Sequence, residues 1–316
     1  MEGSPVVKRV VVGGVETVIV FPPEDGKGDA SGGGLEPVAK RICRSPERLN
    51  GTKIGKDCEN RLESANVVFL LHGRKAKKEK RIAVHALKMA KTGLVCIYSD
   101  SPNHGERILD SSINESWKEG NWEHSIDMYS QMITSLREMQ VQIDFLPSIL
   151  NITFTKIGVY GISQGGHAAL ICMTNEPRID VCVSIISSGD YYLNMKKRYS
   201  ALITDTESRD LLEVPEFAEL YPDSLAEVVE RFDPIKNVER LSKHTRPILM
   251  LNGGSDTLVP AECNINLFKA LKPYYAEANC PENLNIRMYD GVKHTVTEMM
   301  LEESLQFLQK FMSDSQ

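Results

Sequence analysis

Only two tryptophans, Trp117 and Trp122, occur among the 316 residues, and the seven cysteines contain no Cys-x-x-Cys pair. An odd, scattered set at positions 43, 58, 96, 172, 182, 263 and 280 argues against a zinc ribbon or a disulfide-stapled scaffold. Cys96, Cys172 and Cys182 sit inside apolar runs and read as small reduced core residues. No run approaches the ~18 apolar residues of a membrane-spanning helix. The opening MEGSPVVKRVVVGG has no basic start followed by a sustained apolar stretch, as a secretory leader would. A soluble chain in a reducing compartment, the cytoplasm, is therefore expected. Positive charge is not in excess either: 37 Lys and Arg face 43 Asp and Glu, a net charge of −6. That balance argues against a general nucleic-acid binder. No internal repeat is visible.

What is present is an alternation of short β-branched runs with longer helical patterns, the signature of a mostly parallel sheet covered by helices. Two strands, Val6–Val12 and Glu16–Phe21, open the chain around a Gly13-Gly14 hairpin. A polar stretch at 22–64, containing GDASGGG, reads as a long insertion or mobile loop. The alternation then becomes regular. Strands are expected at Asn66–Leu71, Leu94–Ser99, Ile157–Tyr160, Val181–Ile186, Pro247–Leu251 and Ile286–Tyr289. A basic helical segment is expected from about Lys75 to Lys91, and a long helix from His124 that stops before Pro147. Residues 190–231 interrupt the rhythm with acidic helical segments and read as a partial cap. The whole chain, 1–316, reads as one domain of the α/β class.

Chemistry concentrates at three strand ends. Gly161-Ile162-Ser163-Gln164-Gly165-Gly166 joins a strand to a helix. A serine at such a turn needs small neighbours, and its hydroxyl is left above the sheet beside free helix N–H groups. A serine nucleophile needs a base and an orienting acid, in the chain order Ser, acid, His for this architecture. Of the two histidines after the acidic insertion, His244 precedes a strand, whereas His294 follows the last one. Asp256, in Asn252-Gly253-Gly254-Ser255-Asp256, follows the strand before it. Ser163, Asp256 and His294 are thus the expected triad at the carboxyl edge of the sheet. Asp190 and Asp290 are the competing acids. The oxyanion donors are expected to be the backbone N–H groups of Gln164 and, in the turn Leu71-His72-Gly73-Arg74, of Arg74. His72 is expected to be structural.

The set LHG, GxSxGG, GGSDxxVP and GxxH resembles the α/β-hydrolase superfamily from about residue 66 to the end. Asp100-Ser101-Pro102-Asn103-His104-Gly105-Glu106-Arg107 resembles a segment of the dienelactone-hydrolase-like and prolyl-oligopeptidase-like esterase branch. The resemblance implies an α/β-hydrolase fold, a mostly parallel central sheet flanked by helices with a small helical cap. It also implies that His104 shapes the pocket wall. Serine stands where true dienelactone hydrolases carry cysteine, which argues against that activity.

The expected reaction is acyl transfer to water, on a carboxylic ester or thioester of a small molecule, with no cofactor and no metal. A small peptidase and a non-catalytic small-molecule-binding protein are the alternatives. His104, Trp117 and Trp122 are candidate substrate contacts. The cations of Arg74-Lys75-Ala76-Lys77-Lys78-Glu79-Lys80-Arg81, unfavourable at a helix start, suggest an anionic substrate held by Lys75, Lys77 and Lys78.

Overall fold

A computed structural model describes residues 4–23, 62–78, 81–205 and 213–313. Most of the polar stretch expected at 22–64 lies outside the described residues. Val6–Val12 (β1) and Val15–Phe21 (β2) pair antiparallel, with Val12 opposite Val15. Gly13 and Gly14 take φ of 58° and 80° between them, so both central residues of the turn are left-handed. That conformation matches the twist of the flanking strands and is cheap only for glycine or similar residues.

The remaining strands are Ser64–Leu71 (β3), Val95–Ser99 (β4), Thr153–Ile162 (β5), Val181–Ile185 (β6), Ile248–Gly253 (β7) and Leu284–Tyr289 (β8). They assemble in the order β1-β2-β4-β3-β5-β6-β7-β8, parallel from β4 to β8. Both faces are covered, which is why these strands read as continuous apolar runs. Their two-residue period still sorts the core into two layers. Val67, Phe69, Ile248 and Met250 face one layer, packed with the long helix His124–Leu150 (α2), Gln164–Asn175 (α3) and Glu262–Glu277 (α8). Val68, Leu70, Leu249 and Leu251 face the other, under Arg81–Ala90 (α1) and Glu298–Met312 (α9).

Between β6 and β7 the chain leaves the sheet as Tyr191–Thr204 (α4), Phe217–Leu220 (α5), Asp223–Phe232 (α6) and Val238–Ser242 (α7). Aromatic rings weld this excursion together: Phe217 stacks on Tyr221 at 5.6 Å, and Tyr191 meets Tyr129 of α2 at 4.7 Å. The Tyr191 hydroxyl donates to the Ser125 carbonyl (2.6 Å), which fixes α4 against α2.

Two expectations need correction. The helix α2 does not stop before Pro147 but continues to Leu150. Proline forfeits one amide donor and crowds the carbonyl four residues back, and here it falls in the last turn. The helix ends at Asn151, whose φ of 54° is left-handed and whose N–H returns to the Pro147 carbonyl. Secondly, α1 begins at Arg81, so Lys75, Lys77 and Lys78 precede the helix rather than crowd its first turn. No helix among the described residues is long and apolar enough to cross a membrane.

Candidate active site

Strand β5 runs directly into α3 through Ser163, whose φ of 56° and ψ of −120° L-residues rarely adopt. Such a conformation costs about 1–3 kcal/mol and persists only where the surroundings enforce it. Here the Ser163 N–H donates to the Ile185 carbonyl (2.8 Å), while its own carbonyl accepts from His167 (3.0 Å). Crowding on both flanks explains the glycines. A Cβ on Gly161 would lie 2.0 Å from the Gly165 oxygen.

The Ser163 hydroxyl is 2.8 Å from His294 Nε2, and His294 Nδ1 is 2.7 Å from Asp256 Oδ2. The carboxylate accepts the Nδ1 proton, which leaves Nε2 as an acceptor for the serine hydroxyl. Asp256 is itself anchored: Oδ1 accepts the N–H groups of Leu258 (2.9 Å) and Val259 (3.0 Å). Its side chain is wholly buried, whereas the His294 side chain keeps about a fifth of its surface open. The competing acids are elsewhere. Asp190 caps α4 by accepting from Leu193 (3.0 Å), and Asp290 flanks Gly254.

The turn after β3 passes over the serine, with a Cβ on Gly73 falling 3.2 Å from Ser163 Cβ. His72 holds this turn. The Ser101 N–H donates to its Nε2 (2.8 Å), so Nδ1 carries the proton and donates to the Gly73 carbonyl (2.9 Å). Burial pushes the His72 pKa down to about 4, keeping the ring neutral. Arg74 and Gln164 both line a cavity of about 190 Å³ that also contains Ser163, His294, His167, Asn194 and Arg198.

Of the other expected contacts Lys75 also lines that cavity, whereas His104, Trp117 and Trp122 do not. His104 is buried with Nδ1 on the Pro102 carbonyl (2.8 Å) and lines a separate cavity of about 240 Å³ with Lys77. Trp117 is in the core, edge-on to His124 at 5.9 Å, and Trp122 packs against that core from outside. Two of the three lysines are engaged by carboxylates. Lys75 is paired with Glu119. Lys78 is buried among Glu106 (2.7 Å), Glu16 (3.2 Å) and Asp100 (3.5 Å). Among the described residues no group of three His, Cys, Asp or Glu is placed to hold a metal. A larger cavity of about 860 Å³ opens at Thr153–Ile157, the amino end of β5 and away from Ser163. Open α/β sheets bind their ligands at the carboxyl end.

The residues that the sequence reading passed over are His167, Asn194 and Arg198. A signal existed for two of them. Tyr191, Asn194, Met195 and Leu202 form the buried face of α4, and Arg198 continues its spacing. An Asn and an Arg four residues apart on an otherwise apolar face point to a polar cavity.

The Peptidase_S9 family model, described as the prolyl oligopeptidase family, matches residues 137–315, more than half of the chain. The chain belongs to the prolyl oligopeptidase family. This prolyl oligopeptidase family member is 24% identical over 228 residues to Esterase YjfP of Escherichia coli, spanning 71% of this chain and 81% of that protein. Its fold is similar to TT1662 from Thermus thermophilus (TM-score 0.66, 17% identity, 98% of this chain and 99% of the other). It is also similar to a puromycin-hydrolyzing peptidase of Mycobacterium tuberculosis (TM-score 0.61, 14% identity), covering 98% of this chain but 40% of that one. These likenesses establish an α/β-hydrolase fold and a hydrolase family.

Proposed function

We propose that the protein is a serine hydrolase that cleaves a carboxylic ester, or a thioester, of a small molecule. The observation that carries this reading is the continuous chain from Ser163 through His294 to Asp256, with separations of 2.8 and 2.7 Å. His294 takes the Ser163 proton as the oxygen attacks the carbonyl carbon, and Asp256 stabilises the resulting imidazolium. The carbonyl oxygen becomes an oxyanion facing the N–H groups of Gln164 and Arg74. Neither amide donates elsewhere among the described residues. His294 then protonates the leaving alcohol or thiol. Water repeats the cycle and releases the acid.

A peptidase activity is the second reading, favoured by family membership. Against it stands the small cavity of about 190 Å³, below the ~300–1,000 Å³ usual for drug-sized ligands. The helices at 190–231 act in this reading as the partial cap that limits substrate size.

Labelling with a fluorophosphonate, mapped by intact mass and peptide analysis, tests the nucleophile without a known substrate. A single adduct on Ser163, absent from Ser163→Ala, is expected. A folded protein that takes no adduct would instead favour a binding protein without turnover. Parallel assays on short esters, thioesters and aminoacyl amides separate the esterase from the peptidase reading.

A further inference from the structure

The cavity beside Ser163 is unusual in its charge. No aspartate or glutamate lines it among the described residues, yet Arg74, Arg198 and Lys75 do, the lysine already paired with Glu119. Arg198 is half-buried and has no ion pair or hydrogen bond among the described residues. The Arg74 guanidinium donates to His124 Nδ1 (3.1 Å), a ring that burial, then Arg198 and Arg74, keep neutral. The carboxylate whose charge Arg74 feels, Glu119, is already engaged by Lys75 and the Ser116 amide. Cations inside folded proteins are ordinarily paired, because desolvation without a partner is costly.

Asn194 supplies an independent observation. It is completely buried, and both its amide nitrogen and its oxygen lack a partner among the described residues. Leaving a buried polar group unpaired is costly, so a chain that keeps one here gains something from a ligand. Asn194 and Arg198 lie one turn apart on α4 and reach the same cavity as Ser163. The two arginine charges are felt together: burial, and then Arg74, bring the Arg198 pKa down to about 10. Burial, and then Arg198, bring His167 down to about 3, so His167 adds no charge of its own.

We propose that this cavity selects substrates bearing a carboxylate a few atoms from the scissile carbonyl, with Arg198 and Arg74 holding the anion and Asn194 completing its hydrogen bonds. Guanidinium groups suit carboxylates because their donors are planar and matched in spacing. The small volume fits a short acid rather than a long acyl chain. This inference takes its reaction from the hydrolase reading above, but the anion site stands on its own residues.

Two matched pairs of esters test it. Monoethyl succinate against ethyl butyrate puts the carboxylate on the acyl side. O-Acetylglycolate against propyl acetate puts it on the alcohol side. In at least one pair kcat/KM favours the anion by about 10- to 100-fold, the range of a charged hydrogen bond, and Arg198→Gln collapses that ratio. Asn194→Leu, of similar volume, also lowers the ratio while melting no lower than wild type, because it removes an unpaired buried amide. Absence of a preference in both pairs, or a ratio that survives both variants, overturns the proposal. Calorimetry on Ser163→Ala reads the site without turnover: monoethyl succinate or O-acetylglycolate binds, and Ser163→Ala combined with Arg198→Gln weakens that binding. Anion binding without fluorophosphonate labelling would sink the hydrolase reading alone. Labelling of Ser163 without any anion preference or binding would sink this one alone.

Discussion

Gly165 passes so close to Leu71 that a Cβ on it would lie 2.2 Å from the Leu71 carbonyl oxygen. The obstruction is backbone, not a side chain that could rotate away. Overpacking costs about 1–3 kcal/mol where side chains can yield, and here they cannot. Gly165→Ala is therefore expected to move the Ser163 turn, lower the melting temperature and abolish fluorophosphonate labelling. Full labelling at wild-type rate would show that the turn tolerates the methyl group.

Ser163 adopts a left-handed φ that glycine accepts without strain. Ser163→Gly is expected to be more stable than Ser163→Ala by about 1 kcal/mol, part of the usual strain cost. Denaturant unfolding of the two variants measures it, and equal midpoints would contradict it.

If Asp256 orients His294, Asp256→Asn lowers kcat by roughly 10⁴-fold. Ser163→Ala lowers it by roughly 10⁶-fold. Neither loss is expected to come with unfolding, as circular dichroism would verify. Asp190→Asn, which affects a helix cap, leaves kcat within a few-fold of wild type.

His72 is neutral in the folded protein, with a pKa of about 4 against an ordinary value of 6.5. As pH falls, the unfolded chain binds the proton first. Stability that is complete above about pH 6.5 is therefore lost progressively towards pH 4. His167 and His124, also depressed, steepen the same fall. Scanning calorimetry across this window should show a shallower decline for His72→Gln than for wild type. Parallel declines would count against a buried neutral imidazole.

Lys78 sits almost without exposure beside three carboxylates. Removing one partner of a buried ion cluster costs about 3–5 kcal/mol, so Lys78→Met is expected to destabilise severely. Lys75→Gln, which breaks an exposed pair with Glu119, changes stability by less than about 1 kcal/mol. Urea midpoints compare the two directly.

The strands and their parallel arrangement were legible because β3 to β7 carry short runs of Val, Ile and Leu between helical patterns. Ser163, Asp256 and His294 were findable for a related reason: each follows a strand, and parallel strands deliver such residues to one edge. Pro147 misled because proline is forbidden in a helix interior but tolerated near its end. Lys78 misled because charge along a chain does not reveal where acids from distant turns will meet it. Asp100, Glu106 and Glu16 approach Lys78 only once β2, β4 and the loop after β4 are assembled. Asn194 and Arg198 were missed because the acidic composition of 190–231 concealed one polar stripe on α4.

The chain leaves the sheet after β6 and returns as β7, yet these two strands are immediate neighbours, with Cys182 opposite Ile248. The excursion between them leaves the strand order of the sheet uninterrupted. Ser163, Asp256 and His294 are all supplied by turns outside that excursion, whereas Asn194 and Arg198 lie within it. Side chains on α4 can therefore be exchanged without rebuilding the turns that carry Ser163, Asp256 and His294, while Arg74, which follows β3, ties the two stretches together at one cavity.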